Sequence, residues 1–174
     1  MDLPAQYVPG QTERAIYERW VEAGVFSADE KRSRPNGGDR EPFVIIMPPP
    51  NVTGELHLGH GLEDAITDAL VRWHRMQGDP TLWLPGEDHA GIATQNVIER
   101  ELAKEGLTRQ DLGREAFVER IWMWVRKYRS RIADQHRKLG ASADCSRDVF
   151  TPDPEIVKAV STTFVDLYEK GLIY

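Results

Sequence analysis

Apolar positions along the chain alternate between helical and strand-like spacing, and the switches mark the elements. Over residues 11–26, Ile16, Trp20 and Val21 recur at helical spacing and Gly24 lies near the stop, predicting a first helix. Residues 27–42, SADEKRSRPNGGDREP, are polar with Gly-Gly and Pro and read as a surface loop. Phe43 to Met47 is a short apolar, β-rich run, expected to be a buried strand. Over residues 61–77, Leu62, Ile66, Leu70 and Trp73 form one helical face. Glu63 and Asp64 fall in the expected first turn, Arg72, His74 and Arg75 in the last, and Gly78 follows as a cap. Thr81 to Leu84 is a second strand. Strand, helix and strand within about forty residues predict a βαβ unit with parallel strands.

Beyond the loop PGEDHAG, residues 85–91, a helix is expected from about Ile92 to Glu105, with Gly106 as its cap. Thr108 and Asp111 have the spacing of a capping box. A long helix over roughly 115–139 carries Phe117, Ile121, Trp124, Tyr128, Ile132 and Leu139 as its apolar stripe, and Gly140 ends it. Thr151 and Pro152 read as the N-cap and first-turn proline of a last helix reaching about Lys170, with Ile156, Val160, Phe164 and Leu167 on its face. The closing GLIY reads as strand-like. The pattern places the chain in the α/β class, as the first half of a Rossmann-type nucleotide-binding fold with helical segments after the second strand.

Composition narrows the function classes. With 174 residues, 40% apolar and 29% charged, the chain is ordinary globular material for one domain or slightly more. The start, MDLPAQYVPG, lacks a basic flank followed by an apolar run, and the longest apolar runs are as short as FVIIM. Neither a secretory signal nor a membrane span is expected, which points to the cytoplasm. A single cysteine, Cys145, excludes an internal disulfide and a multi-cysteine zinc site. The net charge of −6 argues against a domain built only to coat nucleic acid.

The chemistry concentrates in PPPNVTGELHLGHG, residues 48–61. In an open parallel sheet, ligands bind beyond the carboxyl ends of the strands. His57 and His60 follow the first strand, and Asp88 and His89 follow the second. A helix N-terminus offers unpaired N–H groups and a positive dipole end suited to phosphate. Two imidazoles there add donors able to follow charge onto phosphate oxygens. Gly59 lets a flat base or ribose approach the backbone, and Pro48 to Pro50 restrict the loop before any ligand arrives. Asp88 suits a cationic group such as an ammonium. Two other readings stay open: a metal pair completed by Asp88 or His89, and a polar turn whose histidines only cap the helix.

These residues resemble a known family. HLGH at 57–60 is similar to the HIGH signature of class I aminoacyl-tRNA synthetases. PPPNVTGELHLGH, RMQGDPTLWLPGEDHAGIATQ and LGASADCSRDVFT together resemble the valyl-tRNA synthetases. The resemblance runs from Tyr7 to Tyr174 and is most secure over 43–100. It implies a valine–tRNA ligase that forms valyl-adenylate from ATP, brought with Mg²⁺, and passes valine to tRNA(Val). It implies that His57 and His60 stabilise the ATP phosphates, that Gly59 lies against adenine and Thr53 on the nucleotide side. Asp88 would hold the valine ammonium, and Pro49 and Asn51 would line the amino-acid pocket. Read from the residues alone, His89 follows Asp88 and orients that loop rather than acting directly in catalysis. No protein-bound structural metal is implied.

The resemblance also divides the chain into an N-terminal helix and loop, 1–42, and the first half of a catalytic domain, 43–174, ending near the start of an editing insertion. The second family signature, Lys-Met-Ser-Lys-Ser, is not in these residues, nor are editing or anticodon-binding domains. The remainder of the catalytic domain is therefore expected as a partner, with one sheet edge and its covering face exposed without it. A stand-alone synthetase-derived binding module without ligase activity is the alternative. Two positions depart from the family pattern. Glu87 stands where threonine is usual, one residue from the expected ammonium site, and Cys145 where an aromatic is usual.

The basic stretch Arg126, Lys127, Arg129, Arg131, Arg137 and Lys138 reads as a solvated helix face, with contact to tRNA phosphates as the alternative. Trp122 and Trp124 read as packing residues, His74 and His136 as surface residues, and Cys145 as a small buried or half-buried side chain.

Overall fold

A computed structural model of the chain describes residues 6–28 and 40–174. Most of the expected loop 27–42 lies outside the described residues. The described elements are α1 (Pro9–Glu22), β1 (Phe43–Ile46), α2 (Leu58–Gln77), β2 (Thr81–Leu84), β3 (Gly86–Glu87), α3 (Gly91–Lys104), α4 (Arg109–Leu112), α5 (Arg114–Leu139), a 3₁₀ turn (Cys145–Arg147), β4 (Val149–Phe150) and α6 (Pro154–Glu169). β1 and β2 pair in parallel, Phe43 opposite Thr81 through Ile46 opposite Leu84. The expected strand–helix–strand unit is present, and the chain is α/β. Its described residues form two compact units: 6–28, 40–47, 56–85 and 130–147 in one, and 48–55, 86–129 and 148–174 in the other.

In the first unit the core joins Met47, Val71, Trp83, Ala141 and Ala143, with Phe43 and Ile45 packed against it. Each large buried side chain here contributes about 1.5–3 kcal/mol of apolar transfer. The expected buried strand is corrected: β1 is covered on one face only. Phe43 and Ile45 point inward, whereas Val44 is 57% and Ile46 66% exposed. Side chains alternate across a strand, so covering one face leaves the other bare.

The largest correction concerns α2. Its apolar residues Leu62, Ile66, Leu70 and Trp73 are all exposed, and its inward face carries Asp64 and Val71. That face docks through polar contacts. Asp68 accepts from the Ser142 hydroxyl, Arg75 reaches Ser142 O at 2.8 Å and Phe26 O at 3.1 Å, and Arg72 reaches Gly140 O at 2.6 Å. The helix also starts earlier than expected, so Glu63 and Asp64 fall in its second turn.

On α1, Tyr17 is the buried residue, donating to Ala141 O at 2.9 Å, while Trp20 and Val21 are exposed. His74, expected at the surface, stacks on Phe43 with ring centroids 3.8 Å apart and meets Asp79 at 2.8 Å. Cys145, expected buried or half-buried, is exposed. The preceding Asp144 turns inward to accept from Ser146 N–H and Oγ–H, which leaves its neighbour on the outside of the 3₁₀ turn.

In the second unit Ile98, Leu102 and Phe117 form the core, joined by Leu112, Ile121 and Trp124. Thr108 and Asp111 form the expected capping box. β3 and β4 pair in parallel, and Gly86 is required there: a Cβ would lie 2.7 Å from Val149 O. Trp124 packs on Tyr128 and donates to Val52 O at 2.9 Å, whereas Trp122 is more exposed and meets Phe150 edge-on. The α5 stripe is as expected except at Leu139, which is exposed.

α6 begins at Pro154 with Asp153 as its N-cap position, so Thr151 does not cap it. Of the expected α6 face, Ile156 and Leu167 are half-buried and Val160 and Phe164 are exposed. The closing GLIY is a turn with Gly171 at φ 68°, not a strand.

Candidate functional site

The histidine motif builds the start of α2. His57 is its N-cap, and its Nδ1 accepts from Gly59 N–H at 3.1 Å. His60 Nδ1 accepts from His57 N–H at 3.1 Å. The reciprocal arrangement is a capping box made from two imidazoles in place of Ser and Glu. Their ring centroids are 4.0 Å apart.

The capping reading and the anion reading are therefore compatible. An imidazole whose Nδ1 accepts carries its proton, when neutral, on Nε2. Each ring uses one nitrogen for the backbone and turns an Nε2–H donor away from it. Gly59 has a role the sequence reading did not give it: a Cβ would lie 2.9 Å from His57 Cε1, so only glycine lets the ring fold back over the turn. Burial, then the neighbouring His57, hold the His60 pKa below the usual imidazole value, partly offset by Asp64 and Glu63.

Behind the motif stands the C-terminal half of α5. Gln135 Oε1 accepts from Leu56 N–H at 2.8 Å, and its Nε2–H donates to Leu56 O at 3.2 Å. His136, expected at the surface, is largely buried with Nδ1 2.9 Å from Asp64 Oδ2. The two atoms are in close contact without hydrogen-bond alignment. The periodicity of α5 marks 135 and 136 as neither core nor cap, which is why the sequence reading missed both.

The other expected site residues lie in the second unit. Asp88 bridges Asn51 in parallel strand fashion: its N–H donates to Pro50 O at 2.9 Å and its carbonyl accepts from Val52 N–H at 3.0 Å. This fixes Asn51 and Asp88 side by side in the backbone. Pro49 and Asn51 are exposed and Thr53 half-buried.

Thr151, misread as a helix cap, donates its hydroxyl to Asp88 Oδ1 at 3.0 Å and lies 2.5 Å from His89 Nδ1. Its oxygen also accepts from His89 N–H at 3.0 Å. Thr151 thus ties the acid to the loop that carries it. His89 Nδ1 stands 3.5 Å from Asp88 Oδ1. Ala90 completes the loop with φ 46°, a left-handed conformation that costs a non-glycine residue about 1 kcal/mol.

Glu87 is turned away from this loop. It is buried and paired with Arg129 at 3.1 Å, and Arg129 also holds Asp148 at 2.7 Å and lies over the Phe150 ring at 4.4 Å. The departure from threonine is thus charge-balanced within its own unit. Arg129 leaves the solvated face expected for the basic stretch, while Arg126 pairs with Glu119 and Arg137 with Asp134 at the surface. Among the described residues, no group of three His, Cys, Asp or Glu side chains is placed to hold a metal ion. No described helix is long and apolar enough to cross a membrane.

Comparison with known proteins agrees with the motif. The family model "tRNA synthetases class I (I, L, M and V)" matches residues 15–174. The valine–tRNA ligase of Dehalococcoides mccartyi strain CBDB1 is 57% identical over 99% of this chain, and that of Streptomyces coelicolor 54% over 99%. The chain spans 19% of the length of each. A solved structure of LeuRS from Agrobacterium radiobacter K84, a LeuRS-tRNA-LeuAMS ternary complex, superposes with a TM-score of 0.74 at 23% identity, over 97% of this chain and 19% of that one. The imidazole-capped helix after a parallel strand and the match over residues 15–174 converge on one conclusion: the chain belongs to the class I tRNA synthetases of the isoleucine, leucine, methionine and valine group.

Proposed function

We propose that the chain is the N-terminal part of the catalytic domain of a valine–tRNA ligase, which activates valine with ATP and transfers it to tRNA(Val) in the cytoplasm. The reading rests on one observation above all: His57 and His60 each spend Nδ1 on the backbone and direct Nε2 outward at the positive end of a 20-residue helix. Such donors suit charge that builds on phosphate oxygens as the valine carboxylate attacks the α-phosphorus. ATP arrives as its Mg²⁺ complex. In the proposed roles Gly59 lies against adenine, Thr53 on the nucleotide side, Asp88 holds the ammonium, and Pro49 and Asn51 line the amino-acid pocket. His89 and Thr151 keep the Asp88 carboxylate oriented. The protein's contribution is positioning and charge stabilisation, since valine brings its own nucleophile.

The remainder of a catalytic domain is the expected structural partner, and domain boundaries at 1–42 and 43–174 fit this reading. The test is valine-dependent pyrophosphate exchange on the product of the complete reading frame. His57→Ala and His60→Ala are each expected to slow it by ~10²-fold. Undiminished exchange in both variants removes the histidines from the mechanism. A complete product with no exchange at all leaves a nucleotide-binding module in its place.

A further inference from the structure

The sequence motif ends at His60, but what fixes its geometry comes from seventy-odd residues further along the chain. Gln135 grips Leu56 at both its N–H and its C=O, so it sets the backbone direction immediately before the His57 cap. The next residue, His136, meets Asp64, which lies one helical turn beyond His60 on the same face of α2. Asp64 is 4% exposed. Consecutive residues of one helix thus hold the chain entering the motif and the turn leaving it. All of these residues belong to one compact unit.

We propose that Gln135 is a positioning residue for the histidine pair, with the His136–Asp64 contact as its second anchor, so that α5 aims both Nε2–H donors. The claim rests on the reading that these donors meet phosphate. The physical case is one of degrees of freedom. An N-cap imidazole turns with the φ and ψ of its own residue and of the one before it. His57 sits at φ −117° and ψ 176°, an extended conformation that its helix does not enforce. The double hydrogen bond from Gln135 removes the freedom of Leu56. On the other side Asp64, buried one turn beyond His60, packs against His136 Nδ1 at 2.9 Å, and this contact holds the second turn of α2 against α5.

The experiment compares Gln135→Leu, Gln135→Glu and His136→Asn with the parent in the product of the complete reading frame. Gln135→Leu fills the space without either bond, and Gln135→Glu keeps the acceptor for Leu56 N–H. Pyrophosphate exchange with Gln135→Leu should lose about tenfold in kcat with KM for valine changed less than twofold, because misplacing a reacting group slows chemistry before it weakens binding. Gln135→Glu should regain part of that loss, and His136→Asn should lose kcat in the same sense. Nitrogen-15 imidazole spectra, run in parallel, should show the Nδ1 signals of His57 and His60 moving in Gln135→Leu.

Unchanged kcat in Gln135→Leu overturns the proposal. So does a loss spread equally over kcat, KM and melting temperature with no recovery in Gln135→Glu, which marks a purely structural residue. If the parent itself shows no valine-dependent exchange, the functional reading falls and the spectra alone decide: moved His57 and His60 signals keep the positioning role, unmoved ones end it.

Discussion

Two sites show how much depends on single side chains. Gly59→Ala brings a Cβ within 2.9 Å of the His57 ring, which must swing off its cap. The expected loss is about 1 kcal/mol, the worth of a helix N-cap, read as a shift in the urea midpoint at constant slope. The Glu87–Arg129 pair gives a sharper contrast. Arg129→Met removes the cation paired with the buried Glu87 carboxylate and should cost about 3 kcal/mol, whereas Glu87→Gln leaves Arg129 its Asp148 partner and should cost about 1 kcal/mol. Equal costs in chemical denaturation would mean that Arg129 does not dominate the stabilisation of Glu87. The HLGH string and the Asp88 run were legible from residue identity. Thr151, Gln135 and His136 were not, because each acts on a partner 62 to 79 residues away or on a buried acid that looks like surface in the sequence.

Among elements, α2 is where hydrophobic pattern and burial part company. Leu62, Ile66 and Leu70 mark one face in the sequence, yet Val71 and Asp64 sit inside. In the 174-residue chain, Ile66→Ala should therefore shift stability by no more than about 0.5 kcal/mol. Leu102→Ala on α3, which is 1% exposed within its core, should cost about 3 kcal/mol. A costly Ile66→Ala would show that the apolar face is covered after all.

The tie between α1 and the turn after α5 has a pH signature. Burial pushes the Tyr17 hydroxyl up to about 12, with the nearby Cys145 adding to the rise. The unfolded chain ionises this group near 10, so it favours the fold below pH 10, and that advantage is lost as pH climbs from 10 towards 12. Ultraviolet titration should show a tyrosine ionising near pH 12 that is absent in Tyr17→Phe, and that substitution should flatten the alkaline fall in melting temperature.

For the whole molecule, the bare faces set behaviour. Val44 and Ile46 on β1, the stripe on α2, and Val160, Phe164 and Tyr168 on α6 leave large apolar side chains in solvent, and exposed apolar patches favour association. The 174-residue chain by itself should bind a hydrophobic dye and associate at micromolar concentration. Sedimentation of a dye-silent, cooperatively melting monomer would contradict this.

The sequence by itself determined the long helices, the first two strands with their parallel βαβ order, and the histidine motif, because helix period, strand period, caps and a short string such as HLGH are written locally. Only the tertiary structure decided which face of α2 turns inward, that Glu87 is neutralised by Arg129, and that α5 supports the histidines. Those outcomes depend on which distant surfaces meet, and spacing along a chain measures the face of an element without saying what will cover it.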